Sequence, residues 1–213
     1  RHALVARMGD GSLPRAAYLH YLVQDYVFLI HFARAWALAV VKAGDLEEMR
    51  AAAATVDALV NQEMTLHVQG CAEHGIAEKT LMAAEEEVEN LAYTRFVMDR
   101  GLSGDFLDLL AALAPCVLGY GEIGARLGLG LGDVAPNGKD GDRTYGPWID
   151  AYAASDYQAV CLTVGRLIDR AAAQRLGATP QASPRWADLC RTFRTATRLE
   201  VGFWDMGLRA GKR

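Results

Sequence analysis

Four side chains of this chain combine reactive chemistry with positions where polar groups are costly: Asp25, Cys116, Tyr120 and Glu200. Stepping through the first long apolar segment by four and three residues puts Tyr18, Leu22, Asp25, Leu29, Phe32 and Trp36 on one helical face. An ionised carboxylate at the centre of such a stripe loses several kcal/mol of hydration unless something repays it. Asp25 is therefore either a structural acid bonded to a tyrosine or arginine, or an acid with a raised pKa that binds a ligand or moves a proton. The same stepping aligns Phe106, Leu109, Leu113, Cys116, Tyr120, Ile123 and Leu127, so Cys116 and Tyr120 face the core together. A cysteine there reads as a small apolar filler or as a nucleophile. A third stripe, Leu189, Phe193, Ala196, Glu200, Phe203 and Gly207, carries the second core acid. Two acids, a thiol and a phenol from three helices can converge on a small molecule inside a bundle.

A further polar stripe runs through Met49, Ala53, Val56, Val60, Glu63, His67, Gly70 and His74. Glu63 and His67, four residues apart, have the spacing of two metal ligands on one helix face. A carboxylate-bridged metal pair needs further Glu and Glu-x-x-His sets from facing helices, and no histidine follows His74. The expectation is no metal site, with Glu63 and His67 in a buried hydrogen-bond network.

These residues need helices to hold them, and the apolar period is helical nearly everywhere. One long helix is expected from Pro14 to about Ala43, capped by Ser12 and ended by Gly44. A second runs from Leu46 to His74 and stops at Gly75. A third covers Glu85 to Arg100, and a fourth Ser103 to Leu127 with a kink at Pro115. A fifth, opened by Pro147, reaches Leu176, and the last runs from Pro184 to Gly211. Between the fourth and fifth, "GLGLGDVAPNGKDGDR" is a loop. It follows a helix rather than a strand and lacks the Lys-Ser/Thr ending, so it is no phosphate cradle. The expected fold is one all-α domain over residues 1–213.

The chain has 213 residues, enough for one domain with a substantial core, and a formal net charge of −4. That charge argues against nucleic acid or an anionic membrane as the main partner. The expectation is no membrane segment and no targeting segment. Cys71, Cys116, Cys161 and Cys190 form no CxxC pair and suggest a reducing, cytoplasmic setting.

With these residues read, the chain resembles the TenA family, known as thiaminase II or aminopyrimidine aminohydrolase. The likeness runs over most of the length, through "GSLP", "YLVQDYVFLIHFARAWALAVVKA", "LAYTRFV", "LAPCVLGYGEIGARL", "YGPWIDAYAASDY" and "EVGFWDM" in the family's order. It implies a heme-oxygenase-like helical bundle without heme or other cofactor, assembled as a homotetramer. It implies hydrolysis at the aminomethyl carbon of a 4-amino-2-methylpyrimidine, from thiamin or its aminomethylpyrimidine breakdown product, giving hydroxymethylpyrimidine for thiamin salvage. The resemblance assigns catalysis to Cys116, Glu200 and Asp25, and substrate binding to Asp25, Tyr93, Tyr120 and Tyr145. Phe28 stands where the family has a tyrosine, which removes a hydroxyl from the pyrimidine site. Two other readings remain on the same bundle: a metal-dependent oxygenase, and a non-catalytic pyrimidine-binding or regulatory homologue.

Overall fold

The computed structural model describes residues 2–129 and 144–211. Among them every regular element is helical. A short helix α1 (Ala3–Gly9), absent from the sequence-based expectation, packs on the last helix. The central helix α2 (Arg15–Lys42) carries the expected stripe, with Tyr18, Leu22, Asp25, Leu29, Phe32 and Trp36 all buried. Its N-cap is Pro14, and Ser12 does not cap it. The Ser12 hydroxyl is drawn back to Asp10 instead, because a serine two residues outside the cap turns on its own local acid.

The expected second helix is continuous in path but changes pitch. It consists of α3 (Leu46–Ala58), a π-helical turn over Leu59–Glu63, and α4 (Met64–Glu73). Asp45 caps α3 by accepting from the Glu48 amide at 2.9 Å, and Gly75 (φ 86°) turns the chain out of α4. A one-turn helix α5 (Glu78–Met82) precedes α6 (Val88–Ser103). The expected fourth helix is α7 (Phe106–Ala114), a π turn over Pro115–Gly119, and α8 (Tyr120–Gly128). The run Phe106–Gly128 is long and apolar enough to cross a membrane by composition, but 61% of its most apolar window is buried inside the protein, as in a core helix.

The expected fifth helix is two helices, α9 (Gly146–Ala153) and α10 (Ser155–Leu176), because Ala154 adopts an extended ψ of 145°. The chain closes with α11 (Trp186–Ala210). Phe193, counted on the buried stripe of this helix, is 42% exposed, because the buried face runs through Leu189, Thr192 and Ala196 instead. Helix α2 packs against α3, α6, α7 and α11, which together bury its stripe. At the far end of the bundle Glu48, fully buried, is held by Arg175 at 2.6 Å, and Arg185 bridges Asp105 and Asp108 at 2.8 and 2.9 Å. Paired this way, these charges fasten α3, α7, α10 and α11 without an orphaned ion.

Candidate active site

A cavity of about 430 Å³ opens between α3 and α10 and reaches down to α2. Its floor is Asp25 and Phe28, and its inner wall is Cys116, Val117 and Tyr120. Tyr152 and Tyr157 close one side, Glu63 another, while Ala54, Ala58 and Val160 stand toward the mouth. The inner wall depends on Pro115. Without an N–H it cannot donate to the Ala111 carbonyl, and the chain answers with a wider π turn over the next five residues. The freed backbone is used by α10: the Val117 carbonyl accepts from the Tyr157 hydroxyl at 3.2 Å and the Cys161 thiol at 3.5 Å. Gln158 donates to the Gly121 carbonyl at 2.9 Å. These bonds clamp the turn bearing Cys116 to the opposite wall.

Behind that wall lies Glu200. The Tyr120 hydroxyl donates to Glu200 Oε1 at 3.0 Å and accepts from Trp204 Nε1 at 3.2 Å and Tyr21 at 3.4 Å. Tyr120 thus links the cavity surface to a carboxylate sealed from solvent. Glu200 Oε2 and the Tyr93 hydroxyl are also sealed, and neither meets a partner in full hydrogen-bond geometry. Burial pushes the Glu200 pKa up to about 7, with the Tyr93 and Tyr120 hydroxyls pulling it down and the Asp25 charge pushing further.

Asp25 is raised to about 7 by burial. Its nearest ionisable neighbour is His67, whose Nδ1 lies 3.6 Å from Asp25 Oδ2 while Nε2 meets the Leu22 carbonyl at 2.9 Å. Burial lowers the His67 pKa below its usual value, more than the Leu22 bond and Glu63 restore. Both ring nitrogens are thus turned to protein oxygens, but Glu63, expected in the same network, makes no hydrogen bond among the described residues. Among the described residues no three or more His, Cys, Asp or Glu side chains form a metal-holding group. Glu63 is raised to about 7 by burial and the Asp25 charge, opposed by His67. Burial and then the charges of Glu200, Asp25 and Glu63 hold the Cys116 thiol well above the ordinary thiol range. Cys116 rests as a neutral thiol among three acids poised near neutrality, a set able to exchange protons with a ligand.

Asp25, Phe28, Cys116 and Tyr120 all reach the cavity surface. Tyr93 and Glu200 stand behind it. Phe28 packs its ring against Phe32, Tyr93 and Phe203 at 5.5, 5.2 and 5.7 Å, giving an apolar floor. Tyr145 is placed elsewhere: it is buried against Tyr18 and its hydroxyl donates to the Leu13 carbonyl. The tyrosine that reaches the cavity from this segment is Tyr152, seven residues on, with its ring 5.0 Å from Tyr120. Seven residues are close to two helical turns, so both tyrosines share a face and stripe-stepping cannot choose between them. The loop that precedes this segment, 128–143, falls almost wholly outside the described residues. Tyr157 was missed as well. The signal was present in "YGPWIDAYAASDY", but the break at Ala154 that turns it inward was not read.

The comparisons with known proteins agree with this geometry. A profile of the TENA/THI-4/PQQC family matches residues 1–210. The chain is 35% identical over 205 residues to a protein of Halalkalibacterium halodurans named aminopyrimidine aminohydrolase, covering 96% of this chain and 86% of that one. It is 30% identical to a Helicobacter pylori protein of the same name, covering 96% and 89%. Among solved structures, a Silicibacter protein described as a TenA family transcription regulator is 59% identical, with a TM-score of 0.91 over 97% of this chain and 88% of that one. A TenA homologue from Pyrococcus horikoshii, at 23% identity, superposes with a TM-score of 0.85 over 99% and 91%. A match along almost the whole chain, together with the fold, makes this chain a member of the TENA/THI-4/PQQC family.

Proposed function

We propose that this hydrolase acts on 4-amino-2-methylpyrimidines that carry a leaving group on the 5-methylene carbon, namely the aminomethyl compound or thiamin, and releases hydroxymethylpyrimidine. The observation that carries the reading is that Cys116, Asp25 and Tyr120 wall one cavity, with Glu200 bonded to Tyr120 directly behind. In this scheme the sulfur of Cys116 adds to a ring carbon while a ring nitrogen takes up a proton, which ends aromaticity. The C–N bond to the leaving group then breaks, its electron pair leaving with the nitrogen, and the methylene carbon becomes exocyclic and electrophilic. Water adds there, and loss of the thiol restores the ring. Asp25 holds the ring nitrogen and exocyclic amine. Glu200, acting through the Tyr120 hydroxyl, keeps the departing amine protonated and then takes up a proton from water. Phe28, Tyr120 and Tyr152 pack around the ring. The scheme calls on no cofactor.

The measurement is product formation by purified protein from each substrate. Hydroxymethylpyrimidine from either supports the reading, and its absence from both overturns it. A regulatory reading is favoured by one observation, the description of the 59% identical Silicibacter relative as a transcription regulator. Binding of both pyrimidines without turnover would select it. We further propose a homotetramer, in keeping with the family resemblance and the exposed apolar side chains, and a cytoplasmic setting, in keeping with four free thiols.

A further inference from the structure

We infer that Glu63 is a specificity-determining residue that holds positive charge on the substrate's leaving group, so that the site selects a cationic leaving group over a neutral one. This rests on the reading proposed above and assigns a role to a carboxylate that the scheme leaves idle. Glu63 ends the π turn between α3 and α4, and that turn points its side chain into the cavity. The other acids of the site have partners: Asp25 has His67, and Glu200 has Tyr120. Glu63 makes no hydrogen bond or ion pair among the described residues, although it is half-buried. Its cost is that of an unpaired, partly desolvated carboxylate.

The cavity wall holds Asp25, Glu63 and, at the mouth, the exposed Asp156, and among the described residues it holds no lysine or arginine. His67, the nearby base, is kept neutral by burial. The field inside therefore favours a cation. Glu63 lines the same cavity as Cys116, Tyr152 and Tyr157, and its charge opposes ionisation at all three. Beyond it the wall turns to small side chains, Ala54, Ala58 and Thr163, which leave room for a group larger than ammonia. A bound cation would supply the partner that Glu63 lacks and draw its proton off. The role is in binding and breaks no bond.

The test compares two ligands that differ in the charge of that group, the cationic aminomethylpyrimidine and the neutral hydroxymethylpyrimidine. Dissociation constants are measured by calorimetry at pH 8, where Glu63 is ionised, in Cys116→Ser protein with and without Glu63→Gln. We expect the preference for the cation to fall tenfold or more in the Glu63→Gln protein, with binding of the neutral ligand nearly unchanged. A change in the ratio of less than about threefold overturns the inference, whether both ligands weaken together, as for a structural role, or neither does. If neither pyrimidine binds the Cys116→Ser protein at all, the functional reading falls and the charge role with it. That outcome is distinct from binding without charge preference, which removes Glu63 alone. Should Glu63→Gln fail to fold, Glu63→Met keeps the length and helical preference of the side chain and gives the same readout.

Discussion

Cys116 is held as a thiol. Burial and three nearby carboxylates all oppose its ionisation, so no standing thiolate is available and the proton must leave as substrate arrives. Cys116→Ser is expected to keep the fold and ligand binding but lose at least about a hundredfold in kcat, because a serine hydroxyl is a far weaker attacker on the ring. A packing cysteine forecasts the reverse: a lowered Tm with kcat per folded molecule intact. Asp25 carries a second prediction. Its folded pKa, about 7, lies above the usual carboxylate value, so between about pH 4 and 7 the folded state binds more protons than the unfolded one. The stability that the protonated Asp25 retains at low pH is lost as pH rises through 7. Asp25→Asn removes this loss. Its Tm should exceed wild type at pH 8 and converge with it near pH 4, while pyrimidine affinity falls because the amide cannot carry the charge. A Tm difference that does not vary with pH would show that burial of Asp25 is not what strains the fold.

Two helical elements bend their regular pitch where the cavity needs them. The π turns at Leu59–Glu63 and Pro115–Gly119 each insert a wider turn, and each delivers a chemical side chain, Glu63 and Cys116. Pro115→Ala restores a donor for the Ala111 carbonyl and lets the turn tighten toward regular α geometry. We expect unchanged or raised stability with kcat down by about tenfold or more, since Cys116 and Tyr120 rotate relative to α10. Equal activity would show that the turn is held by the Tyr157 and Gln158 bonds and not by the proline. The contact of α8 with α9 rests on absent side chains. A Cβ on Gly124 would collide with the Tyr152 backbone of α9, and one on Gly121 with Cys161 Sγ of α10. Gly124→Ala should cost about 1–3 kcal/mol by chemical denaturation and displace Tyr152 from the cavity.

At the scale of the molecule, the segment "FARAWALAVV" turns apolar side chains both into the core and out of it. Phe32, Ala35, Trp36 and Ala39 are buried, while Val41 in the same segment is 78% exposed. Large apolar side chains are exposed elsewhere, among them Val60 and Leu66 along α3–α4 and Val160 and Leu162 on α10, at 52%, 67%, 47% and 64%. These two segments flank the cavity mouth. Exposed apolar area of this kind is usually covered by another surface. Light scattering at micromolar concentration is expected to give a tetramer mass, and Leu66→Lys together with Leu162→Lys to reduce it. A monomer mass for the unaltered protein would remove the assembly from the proposal.

Helix type, approximate ends and buried faces were legible because the apolar period is a local property of the chain. The stripe on α2 was read residue for residue, and Cys116 and Tyr120 were placed together by counting alone. Asp25 and Glu200 stood out because a carboxylate inside an apolar row is costly wherever the chain folds. What counting could not supply was the pitch of the helices and the angle between them. A one-residue widening at Pro115, an extended residue at Ala154 and the close approach permitted by Gly124 are answers to packing, and they decide that Tyr152 and not Tyr145 meets the cavity. Phe193 shows the same limit: steps of three and four fit both it and Thr192, and packing buries Thr192. Glu63 could be counted onto a polar face, yet its lack of a partner belongs to no single helix. That fact exists only once α2, α4 and the Cys116 turn have closed around one space.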